Sequence, residues 1–302
     1  MGQPKDKLLN WAIFFILAFI WGSSFILMKE GMKALSPYQV AALRMLSGGI
    51  VLLPVAVRQF RNIPVNKIRF IFLSSLLGSF FPAFLFCIAE TKIDSSLASF
   101  LNSLTPVFTA LIGIMFFKSI IEQKKVIGIA IAFIGMIVLF LAGETINATY
   151  ISYSLFVLLA VVSYALNINL VGQFLKSISP TNIAAVGFAF LVPPSILILI
   201  FTGYFNLPLS ENSVLISTAA SVTLGVMGTA VATILFYIML KRAGTLFSSM
   251  VTYGIPFVAL FWGILAGESI NALQVGGLAI ILAGVYIANS KVKSQKSKEE
   301  IA

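Results

Sequence analysis

Long stretches of apolar residues follow one another along the chain, and only short polar connections separate them. Each stretch is about 20 residues long, the length that an α-helix needs to cross a hydrocarbon core of about 30 Å. The stretches are continuously apolar, whereas strands of a membrane β-barrel alternate apolar and polar positions. The pattern therefore predicts ten membrane-spanning helices, over residues 8–29, 37–57, 70–89, 95–117, 126–142, 153–175, 181–204, 214–240, 245–267 and 271–290.

The composition favours the same fold class, an all-α integral membrane protein. Hydrophobic residues make up 59% of the 302 residues, charged residues make up 10%, and the mean hydropathy is +1.04. A soluble domain has roughly 45–50% apolar and 25% charged residues. Because the predicted helices occupy nearly the whole chain, we expect its function to reside inside the bilayer.

Lys and Arg lie mostly on one side of the predicted helices, and cytoplasmic loops are the side that accumulates them. With the N-terminus inside, sixteen of the 20 basic residues fall in cytoplasmic segments, including a basic tail at 291–302, and three fall outside. We therefore expect a multi-pass protein of the cell membrane with both termini in the cytoplasm. This topology explains the net charge of +10 without a nucleic-acid partner, and the tail could contact anionic lipid.

The two halves of the chain repeat each other. Residues 102–108, NSLTPVF, and residues 252–257, TYGIPF, each place a proline within an apolar stretch, 150 positions apart. Other residues recur at the same shift, among them Gly78 with Gly228, Phe86 with Phe236 and Ser99 with Ser249. Residues 8–142 thus correspond to 153–290, with five helices each, and an odd number of helices inverts the second copy in the membrane. Inverted repeats with substrate sites near the bilayer midplane are typical of secondary transporters.

The paired prolines, Pro106 and Pro256, predict interruptions of the fourth and ninth helices. Proline lacks an N–H and crowds the carbonyl four residues back, so the carbonyls of Asn102 and Thr252 lose their helical partners. Such groups avoid lipid and face protein or water. We interpret the prolines as helix-break hinges and Asn102, Thr252 and the neighbouring Tyr253 as substrate-binding residues; packing kinks are the alternative.

The first helix of each copy carries an aromatic residue followed by a small polar residue. A shift of 143 places Trp21 on Tyr164 and Ser24 on Asn167. An aromatic wall beside a hydrogen-bonding group suits an amphiphilic solute, so we interpret these four residues as substrate-binding. Helix packing is the alternative, because Ser and Asn also join membrane helices through hydrogen bonds.

Arg44 is the one charged residue well inside a predicted helix. Ionisable residues within a membrane span are functional by default, and a guanidinium can hold a substrate carboxylate with two hydrogen bonds. Two other interpretations stay open from the sequence. Arg44 could form an ion pair with Glu90 or Asp94, or its side chain could extend to the outer headgroups.

Small residues recur seven positions apart in the fifth and tenth helices, at Gly128 and Gly135 and at Gly277 and Gly284. Such stripes let helix backbones approach closely. We therefore expect these residues to pack rather than to bind a ligand, within one chain or between two, which leaves a homodimer open. We interpret the single cysteine, Cys87, as a small apolar residue that packs inside the protein.

Enzyme chemistry finds little support in the sequence. The chain has no histidine, which excludes Ser-His triads and H-E-x-x-H metal sites. No acidic residue lies in the middle of a predicted helix, and no G-x-x-x-x-G-K-[ST] phosphate loop occurs. We expect no catalytic residue, no metal and no cofactor; a non-transporting scaffold or a lipid scramblase remains the alternative to a transporter.

The chain resembles the EamA type of the drug/metabolite transporter superfamily over about residues 8–290. The residues that carry the resemblance are Trp21-Gly22-Ser23-Ser24-Phe25, Arg44, Leu97-Ala98 with Pro106, Gly128 with Gly135, and the second copy of this order. The resemblance implies two inverted five-helix repeats around a central cavity that export small metabolites such as amino acids.

One position departs from that family's pattern. Members often carry a glutamate just after the fourth helix of each repeat, and the second copy here has Gly267-Glu268 whereas the first has Phe117-Lys118. We therefore do not assign a role to a symmetric acidic pair. The expected function is a secondary transporter that exports a small amphiphilic metabolite by alternating access.

Overall fold

The computed structural model describes residues 4–93, 95–143, 151–265 and 271–289. All regular secondary structure in these ranges is helical. The α-helices are α1 (Pro4–Gly31), α2 (Pro37–Gln59), α3 (Val65–Ser75), α4 (Phe81–Ala89), α5 (Ser95–Asn102), α6 (Thr105–Phe117), α7 (Gln123–Gly143), α8 (Ile151–Phe174), α9 (Pro180–Phe201), α10 (Asn212–Thr223), α11 (Ala232–Ala243), α12 (Thr245–Ser249), α13 (Ile255–Leu265) and α14 (Ala272–Asn289). Asp94, Glu268 and the basic tail lie outside the described residues.

Seven helical segments within those ranges are long and apolar enough to cross a membrane. They are Lys7–Gly31, Pro37–Asn62, Val65–Ala89, Leu97–Phe117, Ser152–Phe174, Pro180–Phe201 and Asn212–Ala243. The other three predicted spans correspond to α7, to α12 with α13, and to α14. The prediction of an all-helical multi-pass membrane protein is confirmed, and ten crossings in an inverted repeat remain a prediction.

The second helix of each half starts with the same local signal. Ser36 caps α2 by accepting a hydrogen bond from the backbone N–H of Gln39, whose side chain accepts one from the Ser36 N–H, and Pro37 follows. Ser179 accepts from the backbone N–H of Asn182 at the start of α9. A Ser N-cap followed by Pro is favourable because the N-cap oxygen satisfies an orphan donor and Pro has none. The duplicated Ser-Pro therefore fixes equivalent helix starts.

Two of the predicted helices contain a π-helical segment, which the sequence analysis treated as continuous α-helix. The first π segment, Leu76–Phe80, joins α3 to α4, and the second π segment, Leu224–Val231, joins α10 to α11. The N–H of Phe81, for example, donates to the carbonyl of Leu76, five residues back. One extra residue in a turn leaves the apolar composition unchanged, so the sequence pattern carries no sign of it. π turns are frequent at functional sites.

The chain leaves the α-helical path just before both predicted prolines. Helix α5 ends at Asn102 and α6 starts at Thr105, so Pro106 lies in a first turn, where proline is tolerated. In the second half, a 3₁₀ turn follows α12, and α13 begins one residue before Pro256. The carbonyl of Asn102, which Pro106 cannot serve as a donor, accepts a 2.6 Å hydrogen bond from the Thr105 hydroxyl and so faces protein.

The two halves pack through equivalent partners. Helix α1 contacts α10, α11 and α13, while α8 contacts α3, α4, α5 and α6. Helix α2 lies against α9, and α7 lies against α14. Each half therefore inserts its first helix between the third and fourth predicted helices of the other, and a central space forms where they meet.

Helices α7 and α14 bring their backbones into close contact. A Cβ at Gly284 would lie 2.3 Å from the backbone nitrogen of Ala132, and a Cβ at Gly135 would lie 2.6 Å from the nitrogen of Ile281. The prediction that these glycines serve helix packing is confirmed, and the contact lies within one chain. A homodimer stays untested.

Candidate functional site

A cavity of ≈ 100 Å³ lies in the central space between the two halves. A cavity needs about 10–15 Å³ by this measure to hold one water, so it has room for several waters or for a small solute. Its wall combines aromatic rings, hydroxyl and amide groups, and the Arg44 guanidinium. The centre of the protein is therefore not the dry, apolar contact that a purely structural bundle would have.

Seven of the eight residues predicted to bind substrate line this cavity. They are Trp21, Ser24, Arg44, Asn102, Tyr164, Asn167 and Thr252. The eighth, Tyr253, points elsewhere: its fully buried hydroxyl donates to the carbonyl of Ile129 in α7, at 3.2 Å. Tyr253 thus joins the broken ninth helix to α7, although it is adjacent to Thr252 in sequence.

Two pairs of aromatic rings form part of the wall. The Trp21 ring lies 5.4 Å from that of Phe236, and the Tyr164 ring lies 6.2 Å from that of Phe86. The Trp21 indole N–H donates to the carbonyl of Gly228 in the second π segment, at 3.1 Å. This bond fixes the indole plane, because the indole has only one donor.

Each half places a polar side chain against the π-segment glycine of the other half. A Cβ at Gly78 would lie 2.2 Å from the amide nitrogen of Asn167, and one at Gly228 would lie 2.8 Å from the hydroxyl of Ser24. Ser24 and Asn167 are equivalent at a shift of 143, and the two glycines are equivalent at a shift of 150. Glycine is required at both positions because any larger residue would displace the polar group.

A hydrogen-bonded triad holds Asn167 in place. Ser74 donates to the Asn167 side-chain oxygen at 2.6 Å, and the Asn167 amide donates to the Tyr237 hydroxyl at 3.4 Å. The hydroxyls of Ser74 and Tyr237 are 3.0 Å apart; with Ser74 already donating, Tyr237 is the donor of that bond. These bonds hold the Asn167 amide in position, and Tyr237 itself lines the cavity.

Arg44 is held by a residue that the sequence analysis did not identify. Its Nε–H donates to the hydroxyl of Thr229 at 2.6 Å, and that hydroxyl donates to the carbonyl of Leu224 at 3.2 Å. The N–H groups of the two Nη atoms are left for a ligand as far as the described residues show, since a guanidinium has five donors. Thr229 lies in the second π segment and is equivalent to Ser79, which also lines the cavity.

The surroundings of Arg44 bear on its three interpretations. The side chain is 9% exposed and lies in the cavity wall, which does not match an arginine extended to the headgroups. Among the described residues, it forms no ion pair within 4.0 Å, so Glu90 is not a direct partner. Asp94 lies outside those residues. Contact of Arg44 with a ligand stays a prediction.

Hydroxyl groups near the second break were not predicted from the sequence. Ser248 and Ser249 line the cavity, and the buried Ser248 oxygen has no hydrogen-bond partner in the described part of the chain. Thr252 donates back to the carbonyl of Ser249, at 3.1 Å. The recurrence of Ser99 as Ser249 was the available signal for this region.

A second cavity, of ≈ 200 Å³, lies between the α6–α7 connection and α12. Lys125, Thr109 and Asn169 are among its lining residues. The Asn169 amide donates to the carbonyl of Thr109 at 3.0 Å, while the Thr109 hydroxyl is buried without a partner among the described groups. The cavity lies beside the α6–α7 connection and the start of α7, which together carry Lys118, Lys124 and Lys125.

A helical membrane bundle with a polar, aromatic-lined cavity at its centre has the architecture of a transporter. The chain belongs to the EamA-like transporter family, which it matches over residues 9–141 and again over residues 151–290.

Several curated proteins resemble the chain over most of its length. An "Uncharacterized transporter" of Archaeoglobus fulgidus is 27% identical over 93% of this chain and 99% of that protein. A "Probable amino-acid metabolite efflux pump" of Salmonella typhimurium is 29% identical over 90% of this chain and 92% of its own length. An "S-adenosylmethionine/S-adenosylhomocysteine transporter" of Chlamydia trachomatis is 27% identical, over 85% and 82% respectively.

One solved crystal structure has the same fold. It superimposes with a TM-score of 0.71, covers 95% of this chain and 98% of its own, and is 17% identical in sequence. At this identity, the likeness concerns the fold alone.

Proposed function

We propose that the protein is a secondary transporter that exports a small amphiphilic metabolite, an amino acid or a related carboxylate, by alternating access. Ten helices in two inverted five-helix repeats, 8–142 and 153–290, form the carrier. Both termini lie in the cytoplasm, and the carrier spans the cell membrane.

The central cavity is the observation that carries this proposal. Its lining includes both members of several repeat-related pairs: Trp21 with Tyr164, Ser24 with Asn167, Gly78 with Gly228, Phe86 with Phe236, and Asn102 with Thr252. A wall built from equivalent positions can open to either side by equivalent motions of the two halves. This is the geometry expected for substrate sites at the interface of inverted repeats.

The lining residues take distinct roles in this proposal. The Nη groups of Arg44 hold a carboxylate, because a guanidinium presents paired donors that match two carboxylate oxygens. The rings of Trp21 and Tyr164 enclose the apolar part of the solute. Asn102 and Thr252 orient it from the broken helices, and the backbone at Pro106 and Pro256 serves as the hinge.

The second cavity belongs to the cytoplasmic side of the carrier in this proposal. It borders Lys125, which the charge distribution assigns to a cytoplasmic segment, so it is the cytoplasmic vestibule of the carrier. The relatives named as an amino-acid metabolite efflux pump and an S-adenosylmethionine/S-adenosylhomocysteine transporter support an amino-acid-like cargo.

Flux into and out of proteoliposomes tests the proposal. Purified protein is reconstituted and assayed with a panel of amino acids, aromatic carboxylates and nucleosides. We expect Arg44→Gln to lower carboxylate flux by about 10- to 100-fold, because a hydrogen bond to a charged group contributes about 1.5–3 kcal/mol. Arg61→Gln, at an exposed arginine, is the matched control and should leave flux unchanged. Flux no higher than in empty liposomes for every solute would favour a scaffold.

A further inference from the structure

Glu90 is a buried carboxyl group that the proposed transport cycle does not use. It is 7% exposed and follows the last residue of α4. One of its oxygens accepts a long, 3.3 Å hydrogen bond from Ser95, and the other is buried with no hydrogen-bond partner in the described residues. A carboxylate in this environment is poorly solvated, whereas a protonated carboxyl group needs less compensation.

The position of Glu90 connects it to the cavity. Its backbone N–H donates to the carbonyl of Phe86 at 2.9 Å, and Phe86 lines the cavity one helical turn away. Among the described residues, the charged groups that act on it are Lys29 of α1 and Arg44 of α2.

Burial and these charges have opposite effects on the pKa of the Glu90 carboxyl. The residue lies just beyond the apolar segment Val65–Ala89, and burial raises the pKa of its carboxyl to about 8, whereas the Ser95 bond and the charges of Lys29 and Arg44 lower it. The Arg44 charge therefore favours the ionised form of Glu90. Any ligand that neutralises Arg44 removes that contribution and favours the protonated form.

We propose that binding of a carboxylate at Arg44 drives uptake of a proton by Glu90, so that the anion and the proton load together. The proton comes from bulk water or buffer and converts the Glu90 carboxylate to the carboxylic acid. The inference rests on the Arg44 contact of the proposed function and adds proton linkage to it.

The linkage between anion binding and protonation is reciprocal, and this determines how anion binding depends on pH. If the anion favours protonation, protonation favours the anion to the same extent. Binding of a carboxylate therefore tightens as pH falls, by at most about tenfold per pH unit for one linked proton. The dependence disappears below the range in which Glu90 titrates, because the group is then protonated before the ligand arrives.

Calorimetry on the purified full chain in detergent tests the linkage, with 3-phenylpropionate as the probe. This aromatic monocarboxylate has no other group that titrates near neutral pH. Binding enthalpies are compared at pH 8 in two buffers of different ionisation enthalpy. We expect wild-type protein to take up a measurable fraction of one proton per ligand at pH 8 and almost none at pH 6, since Arg44 is one of several groups that act on Glu90. Glu122→Gln, at an exposed carboxylate, is the control and should behave like the wild type.

The Glu90→Gln variant should bind the probe with no buffer dependence at either pH. Binding by the wild type without proton uptake at pH 8 would overturn the linkage and leave the proposed transport function intact, as would uptake that persists in Glu90→Gln. Failure of the wild type to bind the probe would instead contradict the Arg44 contact, and with it the linkage. If Glu90→Gln does not fold, the wild type alone still tests the linkage. Proton uptake that is the same at pH 8 and pH 6 would contradict it.

Discussion

Glycines bring chain segments close together in two regions of this protein, with different results. In the α7–α14 pair, glycines face backbone: Gly128 lies against the carbonyl of Gly284, and Gly135 against that of Gly277. In the two π segments, Gly78 and Gly228 face side chains, those of Asn167 and Ser24.

The two kinds of contact differ in how they respond to an added side chain: backbone atoms cannot move aside, whereas the end of a side chain can. Backbone atoms of two packed helices have no alternative position, so space lost between α7 and α14 must be recovered by moving a whole helix. A terminal amide or hydroxyl can change rotamer at modest cost. We therefore expect the first region to determine stability and the second to determine transport.

The largest effect is expected from Gly284→Ala, compared with Gly276→Ala on the same helix. A Cβ at Gly284 meets the Ala132 backbone at 2.3 Å, whereas a Cβ at Gly276 meets nothing within 4 Å. Overpacking of this kind costs about 1–3 kcal/mol. Thermal unfolding in detergent should show a lower Tm for Gly284→Ala and no loss for Gly276→Ala. Equal stability of the two variants would contradict the rigid contact.

Gly78→Ala should separate transport from stability. The new methyl group displaces the Asn167 amide, which is the end of a side chain, and disturbs its bonds to Ser74 and Tyr237, so we expect a smaller fall in Tm than for Gly284→Ala and at least about a tenfold loss of flux. Combining it with Asn167→Ala should add little further loss, because both changes remove the same group. Full additivity of the two effects would show that Gly78 acts elsewhere.

Thr229→Val tests the support that the second π segment gives to Arg44. Valine keeps the volume and removes the acceptor of the Nε–H bond, and a buried donor left unpaired costs about 1–3 kcal/mol. We expect an increased KM for carboxylate substrates, by about fivefold or more. Thr229→Ser, which restores the hydroxyl, should recover most of the affinity; no recovery would indicate that shape rather than the hydrogen bond matters.

The smallest effect is expected from Tyr237→Phe. Removing this hydroxyl leaves Asn167 its bond from Ser74 and takes away about 0.5–1.5 kcal/mol of hydrogen bonding. Flux should fall by a few-fold while Tm changes little. Tyr286→Phe, at an exposed tyrosine, is the control.

Much of this arrangement follows from duplication in the sequence. Trp21 and Tyr164, or Asn102 and Thr252, could be identified because aromatic or polar residues recur at equivalent places in otherwise apolar helices. Close packing by α7 and α14 was expected from glycines seven residues apart, which share one face of a helix, but their pairing with each other was not.

Other features depend on information that a periodic pattern does not contain. Thr229 is 185 positions from Arg44, and the π turn that orients it changes no hydrophobic position. Tyr253 looked equivalent to its neighbour Thr252, but consecutive residues on a turn point in different directions, and only the packed structure shows which faces the cavity. The unpaired oxygen of Glu90 likewise depends on what surrounds it in three dimensions.

Cys87 has a practical consequence for probing this protein. It is the single cysteine of the chain, and its side chain is fully buried, so a hydrophilic thiol reagent has no native target at the surface. Cysteines introduced one at a time at Ser24, Asn102 or Thr252 would then report solvent access at the cavity against a silent background, without prior removal of a native residue.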